Sequence, residues 1–159
     1  MKNGLLLVLS LFFLFGSLKA QPTSDGALGR NGIYAEYYTL THAFSSGHVS
    51  LNYERAFGKN NKTCLRLGVY PDYKTTVSFP LTFSWILFPS KNHHLELGLG
   101  AVVRIEHYRE KYYRDIPAAM FPIMYRYQRK KGLFFRGGAN IFYSWPVLAT
   151  PSFSVGYRF

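Results

Sequence analysis

Three groups of side chains in this sequence have the means for chemistry. The largest is ionic: Glu36, Glu54, Glu96 and Glu106 recur with Arg66, Arg104, Arg126, Arg136 and Arg158, all at even positions. Carboxylates interleaved with guanidiniums could pass a proton or an ion, or could lock one another into a fixed network of pairs. The second is His48-Val49-Ser50, a base and a hydroxyl two residues apart, which are two of the groups a hydrolase needs. The third comprises the adjacent His93-His94 and the lone thiol Cys64, which are metal-ligand types. No zinc spacing, phosphate loop or dinucleotide fingerprint occurs, so no cofactor is expected.

What these groups can do depends on the elements that carry them. From Gly32 onward the apolar residues alternate, and the period predicts eight strands. They lie near Ile33–Thr39, Val49–Phe57, Leu65–Pro71, Val77–Leu87, Leu95–Ile105, Ala119–Tyr127, Leu133–Trp145 and Pro151–Phe159. Within those spans 37 of 42 odd positions are hydrophobic, against 10 of 34 even ones, so one face is apolar and the other polar. Only Arg55 is charged on the odd face. The odd face is also the bulkier one, with Phe79, Leu81, Phe83, Trp85 and Leu87 in a row. An eight-stranded barrel has an interior that barely fits side chains, so those rings belong outside. The expected fold is therefore all-β: an eight-stranded antiparallel up-and-down transmembrane barrel with a lipid-facing apolar exterior and a filled polar lumen. Because the outward face stays odd across every connection, the turns should hold three or five residues, with Arg129-Lys130-Lys131 before Gly132 the clearest.

Parity then sorts the chemistry. The glutamates and arginines share the lumen, where narrowness favours a fixed network over a conducting path. His48 and Ser50 also face inward, whereas a lipid-cleaving site must face the membrane. His93 and His94 point to opposite faces of one strand and cannot share a metal. They should form a solvated edge beside a turn. Cys64 should be a small inward filler.

Composition and the N-terminus set the compartment. The chain has 159 residues, 48% hydrophobic and 18% aromatic, which suits one domain and excludes disorder. Lys2, the apolar run Leu5–Phe15 and the small residues up to Ala20 have the layout of a signal peptide over 1–20. A short leader over 21–31 should follow, then the barrel over 32–159. Removing Lys2 and Lys19 takes the net charge from +11 to +9. A single cysteine allows no internal disulfide, so a membrane must supply the stability that staples give other small secreted domains.

The stretch Ser50-Leu51-Asn52-Tyr53-Glu54-Arg55 resembles the second strand of small, uncharacterised outer-membrane β-barrel proteins of Gram-negative bacteria. His94-Leu95-Glu96-Leu97-Gly98-Leu99-Gly100 resembles their fifth strand. Tyr125-Arg126-Tyr127-Gln128 and Phe135-Arg136-Gly137-Gly138 resemble the sixth and seventh. The last strand, with Phe153, Val155, Tyr157 and Phe159 alternating, resembles the signal read by the outer-membrane barrel assembly machinery. The resemblance implies location and fold, a barrel in the outer membrane; a monomer is expected there, with outer-membrane lipids, lipopolysaccharide and that machinery as partners. It implies no shared activity, and the expected role is structural or surface-interacting and non-enzymatic. His48-Val49-Ser50 is similar to a His/Ser pair of outer-membrane lipid A deacylases, which keeps a lipid-modifying enzyme as the alternative, beside a narrow transport barrel.

In such proteins both termini face the periplasm. The periplasmic turns would be 58–63, 89–93 and 129–132, and the outer loops 40–47, 72–76, 106–118 and 146–150. Lys59, Lys62, Lys91, Arg129, Lys130 and Lys131 gather at the periplasmic turns with no acid among them, where anionic head groups could meet them. Tyr108–Arg114 interleaves aromatics with mostly basic charge on the outer side. The compartment excludes nucleic acid.

Overall fold

The computed structural model describes residues 30–39, 47–58, 61–72, 76–88, 92–108, 111–114, 118–129, 131–143 and 147–159. The expected signal peptide and nearly all of the leader lie outside them. The leader's last residue, Asn31, already belongs to the first strand. Nine strands run in chain order: β1 (Asn31–Thr39), β2 (Gly47–Phe57), β3 (Thr63–Asp72), β4 (Thr76–Leu87), β5 (His93–Tyr108), β6 (Lys111–Arg114), β7 (Ala118–Gln128), β8 (Gly132–Tyr143) and β9 (Leu148–Arg158). Neighbours in sequence pair antiparallel, β5 skips to β7, and β1 pairs with β9. Eight strands thereby close into a barrel, and β6 lies on the overhang of β5.

Closure continues past the last strand. Asn31 and Phe159 exchange backbone hydrogen bonds of 3.0 and 2.8 Å, so the ring is sealed to its final residue. A closed ring leaves no row of unpaired amides, which hydrocarbon could not satisfy. Strands of this length, rising about 3.3 Å per residue and tilted about 40°, span the ~25 Å apolar band that such barrels present.

Register explains the parity. In every barrel ladder facing residues share parity, as in Leu51 with Val69, Leu81 with Ala101, Phe121 with Ile141, and Ile33 with Tyr157. Of the large apolar side chains that are exposed, all but Phe88 are odd-numbered; every buried one is even. The β5–β6 ladder departs from this. Ile105 faces Arg114 and Tyr108 faces Lys111, so only two residues connect these strands and parity flips. The expected loop over 106–118 is therefore a hairpin extension, not an open loop. Beyond the barrel wall no face has to meet lipid, so nothing there enforces an odd connection.

The ladders are interrupted twice, by two facing pairs each time, and each gap includes a proline. Pro80 stands opposite Gly68, and Pro122 opposite Gly98, at the gaps in the β3–β4 and β5–β7 pairings. Proline donates no ladder hydrogen bond and is scarce in strand interiors. Here each ring lies over a glycine whose absent Cβ makes the room. A methyl at Gly98 would stand 2.6 Å from the Pro122 ring, and one at Gly68 would stand 2.9 Å from that of Pro80.

Candidate functional site in the barrel lumen

The lumen is stacked in layers. At the end holding the termini, Ala56, Cys64 and Ile86 form one small apolar cluster. At the other end Tyr70, Val102, Met120 and Phe142 form a second, with Leu148 against it. Between them β2, β3, β5, β7, β8 and β9 each turn at least one charged side chain inward. Glu54, Arg66, Glu96, Arg126, Arg136 and Arg158 are all essentially inaccessible.

Two carboxylates organise four guanidiniums. Arg126 bridges both: Nη1 donates to Glu54 Oε2 and to Glu96 Oε2, each at 3.1 Å, and Nη2 donates to Glu54 Oε1. Arg66 donates to Glu96 Oε1, while Arg136 Nε lies 3.4 Å from Glu96 Oε2. Arg158 stands 3.8 Å from Glu54 and donates to Gln128 Oε1 at 2.7 Å. Gln128 lies one residue beyond the strand read from the sequence, which is why that partner was not foreseen. Its even number was the available signal.

Aromatic faces take up what the carboxylates leave. Arg66 and Arg136 flank the Tyr34 ring at 5.4 and 4.7 Å, and Arg126 lies 4.4 Å over Phe134. Tyr34 and Phe134 meet edge to face at 5.7 Å. Buried cations over ring faces gain most where water is absent. The lumen amides are further groups able to meet a guanidinium. Asn52 instead donates to Ser50 Oγ at 2.7 Å, and Asn140 donates to Glu36 Oε1 at 3.0 Å. Glu36 thus sits above the cluster, tied to a neutral amide. Arg104 lies further along β5, half-buried, and the side chain of Glu106 lies outside the described residues.

The remaining candidates fall inside the same packing. Ser50 is buried and donates to the Glu36 carbonyl at 3.3 Å, and the His48 ring lies 6.1 Å from that of Tyr70. Neither meets the lipid face. His93 and His94 do point apart, but His94 is not solvated. It is buried in the lumen with Nδ1 3.0 Å from the carbonyl of Phe88, whose backbone is left-handed at φ 60°. A carbonyl turned inward at the strained residue meets a partner there. Among the described residues no three His, Cys, Asp or Glu side chains are placed to hold a metal. A cavity of about 10 Å³, room for one water, lies between Glu36, Arg66, Asn140 and the Tyr70 layer.

The closed eight-stranded ring is the geometry of one class of solved structures. The N-terminal β-barrel domain of Pseudomonas aeruginosa OprF superposes with a TM-score of 0.64 at 13% identity, over 83% of this chain and 98% of that one. The fold is that of an eight-stranded outer-membrane β-barrel. Yersinia pestis Ail, an outer-membrane protein, superposes on this barrel with a TM-score of 0.55 at 11% identity, over 82% and 99% of the two chains. The de novo designed TMB2.3 matches it at 0.60 and 10% identity, over 86% and 98%. No protein-family model and no curated protein matches the sequence. Phe153, Val155, Tyr157 and Phe159, the residues similar to an assembly signal, line the outward face at the β9–β1 seam and are exposed.

Proposed function

We propose that this chain is an integral outer-membrane barrel of a Gram-negative envelope, with a structural or surface-interacting role and no enzymatic activity. The observation that carries the reading is the inversion of the barrel. Leu, Phe, Val, Ile and aromatic side chains cover the outside, and Glu36, Glu54, Glu96 and four arginines are sealed within. A soluble barrel would do the opposite, since an exposed apolar belt of this extent aggregates in water unless something covers it. The layout of residues 1–20 supports export, and the likeness to OprF and Ail supports the membrane in question. The inward burial of His48 and Ser50 argues against a lipid-cleaving site.

The same packing supports a barrel that does not conduct. Apolar clusters close both ends, and the charges between them hold one another. A path for ions would require that network to part. Two measurements test the proposal. The protein should remain with membranes through alkaline extraction. Purified barrel in planar bilayers should give no reproducible single-channel steps. Steps that change on Arg104→Ala would put transport in place of the structural role, and altered lipid A in a deletion strain would put catalysis there.

A further inference from the structure

The two ends of the barrel differ in charge. At the end that carries both termini, the described residues of the connections 58–62, 88–92 and 129–131 include Lys62, Arg129 and Lys131 and neither Asp nor Glu. All three cations are exposed. The chain around β6 at the other end mixes both signs, with Glu110 and Asp115 among Arg109, Lys111 and Arg114.

Just above the basic rim, the lipid-facing surface carries polar-tipped side chains among the apolar ones. Arg55 is the one charged residue at an outward position of the eight barrel strands, and its guanidinium lies 5.9 Å over the Phe57 ring. Beside it the Tyr53 hydroxyl donates to Asn31 Oδ1 at 2.8 Å. Further around the ring, His93 packs against Tyr125 and Tyr127 with centroids 6.0 and 5.2 Å apart. His93 Nδ1 and the Tyr125 hydroxyl share one hydrogen bond. If the hydroxyl donates, imidazole Nε2–H remains as a donor; if Nδ1–H donates, the hydroxyl does. Either tautomer keeps a donor at the level where acyl chains give way to phosphate.

We propose that this rim holds the phosphates of anionic glycerophospholipids in the leaflet it faces. The inference rests on the membrane reading above and names a partner for it. Zwitterionic lipids bring their own cation to the phosphate and leave the lysines and arginines unneutralised. Anionic ones do not. Arginine on the lipid face is costly at mid-bilayer and nearly free near the boundary, which places Arg55 at that boundary.

The test uses the whole mature barrel in nanodiscs of phosphatidylglycerol and phosphatidylcholine in equal parts. Lipid retained on the released barrel is counted by native mass spectrometry at low salt. The unaltered barrel should retain phosphatidylglycerol preferentially. Arg129→Gln with Lys131→Gln should lower the preference by at least about fivefold, the order expected for one basic residue at a charged surface. Lys111→Gln with Arg114→Gln at the opposite end should leave it unchanged. Equal retention of both lipids by the unaltered barrel, or equal loss from both double variants, overturns the proposal. Folding is verified first by heat-modifiable migration. If the turn variant does not fold, Arg55→Gln with Lys62→Gln carries the same test from the other side of the rim. Failure of the membrane reading shows separately, as release of the unaltered protein by alkaline extraction.

Discussion

Neutralising Glu96 would disturb three guanidiniums together. It meets Arg66, Arg126 and Arg136, all buried, so Glu96→Gln leaves cations in low dielectric with one shared anion lost. Breaking a buried pair from one side costs about 3–5 kcal/mol. Glu36→Gln, whose carboxylate accepts from the neutral Asn140 amide, should cost about 1 kcal/mol. Urea unfolding of the two variants from lipid vesicles measures the difference, and equal losses would deny that Glu96 centres the network. Parity in the sequence was enough to put Glu54, Glu96 and the four arginines in one lumen. It could not say who meets whom. Arg126 reaches Glu54 across 72 residues and from a non-adjacent strand, a match set by how far each strand is staggered as the barrel closes. Nor could it foresee that ring faces take up guanidiniums while the amides of Asn52 and Asn140 turn to Ser50 and Glu36.

At the scale of the strand, the two faces predict opposite tolerances. Leu81 is half-exposed at mid-strand in β4, and Ser84 is fully buried on the other face of the same strand. Leu81→Arg should cost roughly 2–4 kcal/mol in a folding assay into lipid, the range for a cation at the bilayer midplane. Ser84→Ala, which deletes a hydroxyl without a partner in the structure, should cost far less. Equal tolerance would mean that the outside does not face lipid. The strands were legible because a buried, two-faced wall enforces period two over its whole height. Their ends were less so: β5 runs to Tyr108 and β6 follows, since hydrogen bonding continues after the need to alternate has ended. The Pro80 and Pro122 rungs were also hidden, as a proline reads as a stop until the glycine across from it is known.

For the molecule as a whole, the seam between β1 and β9 is where the ring closes. Phe159 ends the outward row of β9 and is joined to Asn31 by two backbone hydrogen bonds. Deleting it, or appending a charged tail, should lower the amount of heat-modifiable barrel in the membrane; unchanged levels would separate this residue from assembly. That seam has a topological meaning as well. With neighbouring ends hydrogen-bonded in register, the ring has no natural first strand, and a short linker from Phe159 to Arg30 could make the order cyclic. Cutting such a circle within 58–62 would keep every ladder but end the chain on β2, at Tyr53-Glu54-Arg55-Ala56-Phe57. Cutting it within 88–92 would end it on Ile86-Leu87. The permuted barrels would share one architecture while carrying different final strands, so the identity of the last strand could be varied without altering what the chain builds.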